Sequence, residues 1–223
     1  MPEQPIRAEE LAYWYLRLNG CFTIPNFVVH PDSGTNQKTD IDVLAARFPF
    51  RGGELPGMKD DEFFERCRAQ TLILLTEVKT SRCSLNRAWL NPESDALEKV
   101  IRAAGLFPRH EVPPVATSLR ESGHYRSQLY RISFLALGGE TDEDLAARYP
   151  EMPQILWRDV LAFIHARFRT FRAICLHAST SSCSADHQAF ARHLDHRRGH
   201  LAQVVDGQDA GDLRQEPVRQ PQV

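Results

Sequence analysis

Three residues of this sequence combine the types and spacing that chemistry needs: Asp42 in TDIDVL, and Glu77 and Lys79 in TLILLTEVKT. Glu77 and Lys79 are two apart, so on a strand they point to one side, directly after a run apolar enough to be buried on both faces. Charges at the end of such a strand are costly unless they pair or hold a metal ion. If the strand bearing Asp42 lies alongside, Asp42 and Glu77 converge as oxygen ligands for Mg²⁺, an ion that prefers carboxylates and water, and Lys79 stands beside a metal-bound water. Such a set can cleave a phosphodiester. The alternative is a structural ion pair in which Asp42 and Lys79 merely neutralise one another. Asp40 shares a strand face with Asp42, which permits an auxiliary carboxylate, although a strand-entry position more often faces solvent. Thr80, Ser81, Arg82 and Arg87 follow the lysine; their hydroxyl and guanidinium groups suit phosphate oxygens or a solvated loop equally well.

The elements that must position these residues are read from periodicity and turn chemistry. AEELAYWYLRL, from Ala8, is a helix with Leu11, Trp14, Tyr15 and Leu18 apolar and Gly20 placed to end it. FTIPNFVV, from Phe22, is a strand bent at Pro25, and the PDSGTNQK after His30 is a polar loop. The strand starting near Thr39 puts Asp40 and Asp42 on one face and Ile41 and Val43 on the other. Residues 51–70 read as an inserted loop with one short helix, and residues 71–80 as a central strand. Asn91 and Pro92 read as N-cap and first position of a helix that carries Leu97, Val100, Ile101 and Ala104 to Gly105. QLYRISFLAL, from Gln128, is a fourth strand, and PQILWRDVLAFIHARF, from Pro153, a long helix. The order is α-β-β-β-α-β with C-terminal helical additions, an α/β chain with a central mixed sheet flanked by helices. Residues 1–172 are expected to form the folded domain with its helical extension. Residues 173–223 read as a polar tail whose ending, DGQDAGDLRQEPVRQPQV, is too poor in apolar groups to order.

With 223 residues, 42% hydrophobic and 25% charged, the chain belongs with ordinary globular proteins. A formal charge of −2 gives no global attraction to nucleic acid, so any such contact must be local. No N-terminal segment reads as a cleaved leader and no apolar run is long enough to cross a bilayer; a cytoplasmic protein without membrane contact is expected. The five cysteines never form a CxxC pair, which points to buried or free thiols. Cys175, His177, Cys183, His187, His193, His196 and His200 invite a zinc reading, but their spacing matches no standard structural site. Trp14, Tyr15 and Trp157 are core residues by their helical spacing with other apolar groups, rather than platforms for stacked bases.

TDIDVL followed by LILLTEVKTSR resembles the D…ExK signature of the PD-(D/E)XK nuclease superfamily, whose core is restriction-endonuclease-like. More narrowly, AEELAYWYLRLNGC, TDIDVL and TEVKTSR are together similar to the small bacterial endonuclease-like family related to Holliday-junction resolvases and Mrr-type restriction enzymes. The likeness spans residues 8–105 and leaves the C-terminal half unmatched. It implies a metal-dependent nuclease acting on DNA by in-line attack of a metal-activated water at phosphorus. Asp42 and Glu77 would bind Mg²⁺, with Mn²⁺ able to substitute, and the Val78 carbonyl would be a further ligand. Lys79 would orient or activate the water and stabilise the pentacovalent transition state. A first-helix glutamate also joins the family's site; Glu9 matches it, and Ala8 replaces the glycine that usually precedes it. Helical geometry favours Glu9 independently, since Glu10 and Arg17 form the polar stripe while Glu9 shares its side with Tyr13 and Leu16. Assembly as a homodimer or in a larger complex is left open. The competing expectation is a catalytically inactive module that keeps the nuclease fold for nucleic-acid binding or complex assembly.

Overall fold

The computed structural model describes residues 7–29, 39–50 and 59–178, with side chains described up to Arg172. The polar loop after His30 and the histidine-bearing tail from residue 179 lie outside these residues, as do the side chains of Cys175 and His177. Contacts divide the chain into two units, Ile6–Thr170 and a second made of Met1–Pro5 with Phe171–Val223. The first unit carries all that follows.

Its central feature is a strand, β3 (Thr71–Val78), whose residues beyond Thr71 are all buried. The alternation of strand side chains splits this run between two layers. Ile73 and Leu75 join one apolar cluster, and Leu72, Leu74 and Val78 join another. The second cluster is supplied by Ala12, Tyr15 and Leu16 of the first helix, α1 (Ala8–Leu18), and by Phe63 and Phe64 of α2 (Glu62–Arg66). The first is supplied by Trp89 of α3 (Arg87–Leu90), Leu97, Val100 and Ile101 of α4 (Ala96–Ala104), and Val115 and Leu119 of α5 (Val112–Ser122). A strand covered on both sides needs no polar residues until it ends, which is where Glu77 lies.

Among the described residues six strands form one mixed sheet. β1 (Phe22–Val29) pairs antiparallel with β2 (Thr39–Arg47), and β2 antiparallel with β3. β3 then pairs in parallel with β5 (Tyr130–Gly138), from Thr71↔Tyr130 to Val78↔Leu137. The outer edge of β5 takes β4 (His124–Arg126) antiparallel in its first half and β6 (Gln154–Leu156) parallel at its end. Two helices remain, α6 (Glu143–Arg148) and α7 (Trp157–Ala178). No described helix is long and apolar enough to cross a membrane.

The architecture is thus α/β with a mixed sheet between helices, but several elements depart from the sequence reading. Gln154–Leu156 is strand, not helix, and the long helix starts at Trp157. The open edge of β5 offers backbone partners there, and tertiary pairing overrides local propensity. Asn91 does not begin a helix: it closes α3, its Oδ1 accepts from the Glu93 amide at 3.0 Å, and α4 starts four residues after Pro92. The strand expected from Gln128 begins at Tyr130, because Ser127 and the Tyr130 carbonyl close a turn at 2.8 Å. The strand expected through Thr80 ends at Val78. Helix α5, opened by Val112, Pro113 and Pro114, lies in a stretch to which sequence assigned no element. Cys21, Cys67 and Cys83 are buried, as expected of thiols in a core.

Beyond β3 the chain crosses the end of β5 at close range. Ser81 O accepts from the amides of Gly139 and Glu140, and the Cys83 amide donates to Glu140 O at 2.8 Å. A Cβ on Gly138 would stand 2.8 Å from Cys83 N and 2.9 Å from its Sγ. Gly138→Ala is expected to destabilise the protein by about 1–3 kcal/mol, since backbone and not a flexible side-chain end must give way. Urea unfolding reads the change; an unmoved midpoint would mean that the crossing relaxes freely.

Candidate active site

Asp42 lies where β2 parts from β3. The β2–β3 ladder ends at Val43↔Thr76, and the residue facing Asp42 on β1 is Asn26, held in the left-handed region at φ 50°. The ribbon turns here. Ile41 and Val43 therefore pack into different clusters, contrary to the single face that strict alternation gives them. The Asp42 side chain fills the gap in the ladder: its Oδ2 accepts from the Val78 amide at 2.7 Å. Glu77 is on the side of Ile73 and Leu75 and its side chain is 5% exposed. Lys79, the first residue past β3, turns back over it. Its Nζ lies 2.9 Å from Glu77 Oε2 and 3.7 Å from Asp42 Oδ2. The two carboxylates, brought from adjacent strands, thus share one cation.

Burial dominates the electrostatics. It lifts the Glu77 carboxyl from 4.5 to about 7; the hydrogen bond and charge of Lys79 oppose the rise, and the charges of Asp42 and Asp40 add to it. Asp42 is raised by burial too, against the Val78 amide and Lys79, with Asp40 and Glu9 adding to the rise. Burial acts to lower Lys79, but its hydrogen bond to Glu77 and the surrounding carboxylates outweigh this and hold the ammonium above its ordinary value.

Because Glu77 keeps its proton to higher pH in the folded state than in the unfolded chain, the unfolded chain releases it first. The stability that this group contributes is full below pH 4.5 and is lost as pH rises through about 7. In EDTA, unfolding free energy is expected to fall across that window at up to roughly 1.4 kcal/mol per pH unit. Glu77→Gln has no proton to lose and should flatten the slope. Equal slopes in the two proteins, from urea titrations at several pH values, would remove Glu77 as the cause.

Of the other residues singled out in sequence, Asp40 is half-buried opposite Val28 and close enough for its charge to act on Asp42, Glu77 and Lys79. Glu9 is half-buried in the first turn of α1, with its charge felt at Asp42. The inward face of α1 is made by Ala12, Tyr15 and Leu16; Tyr13 is only half-buried, and its hydroxyl accepts from Arg17 at 3.1 Å. Val78 gives its amide to Asp42. Thr80, Ser81 and Arg82 are exposed on the loop after Lys79. One contact went unread in sequence: the Trp157 indole N–H donates to the Lys79 carbonyl at 2.9 Å. The residues are 78 apart in the chain and no local pattern joins them.

Asp42 and Glu77 have the donor chemistry of a hard divalent ion, and the lysine ammonium between them shows that their oxygens can flank one cation. Among the described residues, no three His, Cys, Asp or Glu side chains form a group able to hold a metal. Two carboxylates completed by water are the kind of set that Mg²⁺ accepts. Comparison with family models, curated proteins and solved structures found no match to this chain.

Proposed function

We propose that the chain is a metal-dependent nuclease of the PD-(D/E)XK type, hydrolysing phosphodiester bonds in DNA. The observation that carries this reading is the meeting of Asp42 and Glu77, from adjacent strands, on the ammonium of Lys79 at the end of a strand buried on both faces. Burying the Glu77 carboxyl beside these charges is costly, which favours a site over an accident of packing.

Asp42 and Glu77 would hold Mg²⁺ or Mn²⁺, and the ion would supply a Lewis acid and a water made acidic enough to ionise near neutrality. Asp42 is oriented for this by the Val78 amide, which fixes one of its oxygens. Without metal Glu77 ionises fully only above about 7, and a divalent ion held there would favour its ionised form. Lys79, with 38% of its side chain exposed, has donors to spare for a phosphate oxygen while one N–H stays with Glu77. Thr80, Ser81 and Arg82 present hydroxyl and guanidinium groups beside it. The test is cleavage of plasmid and labelled single-stranded DNA with Mg²⁺, Mn²⁺ or EDTA. Cleavage that needs the metal supports the reading, and none by the folded protein on either DNA overturns it.

A second reading rests on the same ion cluster. Lys79 already neutralises the carboxylate pair, as a structural cluster in a noncatalytic nucleic-acid-binding or assembly module would. In that case DNA retention or partner capture survives Lys79→Ala and ignores divalent metal.

A further inference from the structure

We propose that Trp157 is a positioning residue for Lys79, an inference that rests on the nuclease reading above. Lys79 is the first residue beyond β3, so the sheet no longer fixes it on both sides. Its amide still donates to Leu137 O at 2.9 Å, as the last rung toward β5. In a parallel ladder the carbonyl of the same residue takes the amide two residues further along the partner strand, here that of Gly139. That amide is instead given to Ser81 O, where the chain crosses Gly138 and Gly139. The Lys79 carbonyl would be left over, and the Trp157 indole N–H takes the place of the missing rung at 2.9 Å.

The supporting shell is specific to this residue. Leu156 pairs with Gly138 at the end of β6, which sets the backbone of Trp157 beside the crossing. The ring packs on the apolar cluster that contains Val78, and indole offers a donor with no competing acceptor. The aromatic body is therefore anchored by packing while its polar edge holds the lysine backbone. From there the Lys79 side chain reaches Glu77 and Asp42. Trp157 touches no reacting group in this arrangement; it acts through the place it gives to Nζ.

The experiment compares wild type, Trp157→Phe, Trp14→Phe and Lys79→Ala, and the double variant of Trp157→Phe with Lys79→Ala, in Mg²⁺-dependent DNA cleavage and urea unfolding. Trp14 packs on the same apolar cluster, so Trp14→Phe shows what loss of ring contacts alone does. Trp157→Phe is expected to lower kcat about 10-fold with KM unchanged, in keeping with the cost of misplacing a catalytic group by a fraction of an ångström. Trp14→Phe should leave kcat where it is. On a Lys79→Ala background Trp157→Phe should cost nothing more, because the group it positions is gone. A general folding defect would instead add to the Lys79 loss, so this comparison decides even if Trp157→Phe weakens the fold. Normal kcat in Trp157→Phe, or additive losses, overturns the role of Trp157 and leaves the nuclease reading standing. No cleavage by folded wild type overturns that reading, and the role of Trp157 with it.

Discussion

Lys79→Ala is expected to lower the rate of metal-dependent DNA cleavage about 10²–10³-fold, the usual cost of removing a preorganised donor from a site where charge develops. The chain should stay folded, because the lysine lies past the end of β3 and its backbone bonds to Leu137 and Trp157 need no side chain. Deleting the ammonium leaves Glu77 and Asp42 facing each other without their shared cation. In the metal-free protein both carboxyls then hold their protons to still higher pH. Lys79→Arg is not expected to restore the rate, since a planar, forked guanidinium cannot take the point position between two carboxylates that a compact ammonium takes. The measurement is the initial cleavage rate across pH for the three proteins, with circular dichroism to establish folding. An unchanged rate in a folded Lys79→Ala would leave the ion cluster with a structural role only.

What was legible in the sequence follows physical range. The period-2 spacing of Glu77 and Lys79 after TLILLT is local, and the two side chains do meet, although Lys79 lies one residue past the strand that was to carry it. Asp42 was legible as a candidate because its strand pattern is local too, yet its role as a substitute rung for Val78 depends on where β2 and β3 part. That parting also sent Ile41 and Val43 to different layers, which no alternation rule foresees. Gln154–Leu156 became strand because β5 had a free edge, a fact set by a distant element. Helix α5 was assigned no element from sequence; it opens with Pro113 and Pro114, and proline suits the first turn of a helix. Trp157 was legible as a core aromatic, not as the half-buried partner of Lys79 that it is, and Asp60 was hidden inside a segment read as an inserted loop.

Asp60 carries the second large effect. Its carboxylate is 3% exposed and meets two guanidiniums, with Arg47 Nη2 at 2.5 Å and Arg167 Nη2 at 2.9 Å. Arg47 also donates to Asn19 O at 2.9 Å and Phe64 O at 3.3 Å, and the Asp61 amide donates to Asn19 Oδ1 at 2.7 Å. The cluster therefore ties the end of α1, the end of β2, the entry to α2 and the body of α7 into one brace. Two buried cations rest on one anion, so removing the anion leaves both guanidiniums desolvated and repelling each other. Asp60→Ala is expected to cost about 3–5 kcal/mol, the range for breaking a buried ion pair from one side. Asp60→Asn keeps acceptor geometry but not charge and should fall short of that loss. Adding Arg167→Met to Asp60→Ala should recover part of the stability, because one stranded cation is removed and an apolar side chain of similar length replaces it. Urea unfolding of the three variants measures this. A loss below about 1 kcal/mol for Asp60→Ala would mean that water reaches the guanidiniums once the carboxylate is gone, and that the brace holds by packing rather than by charge.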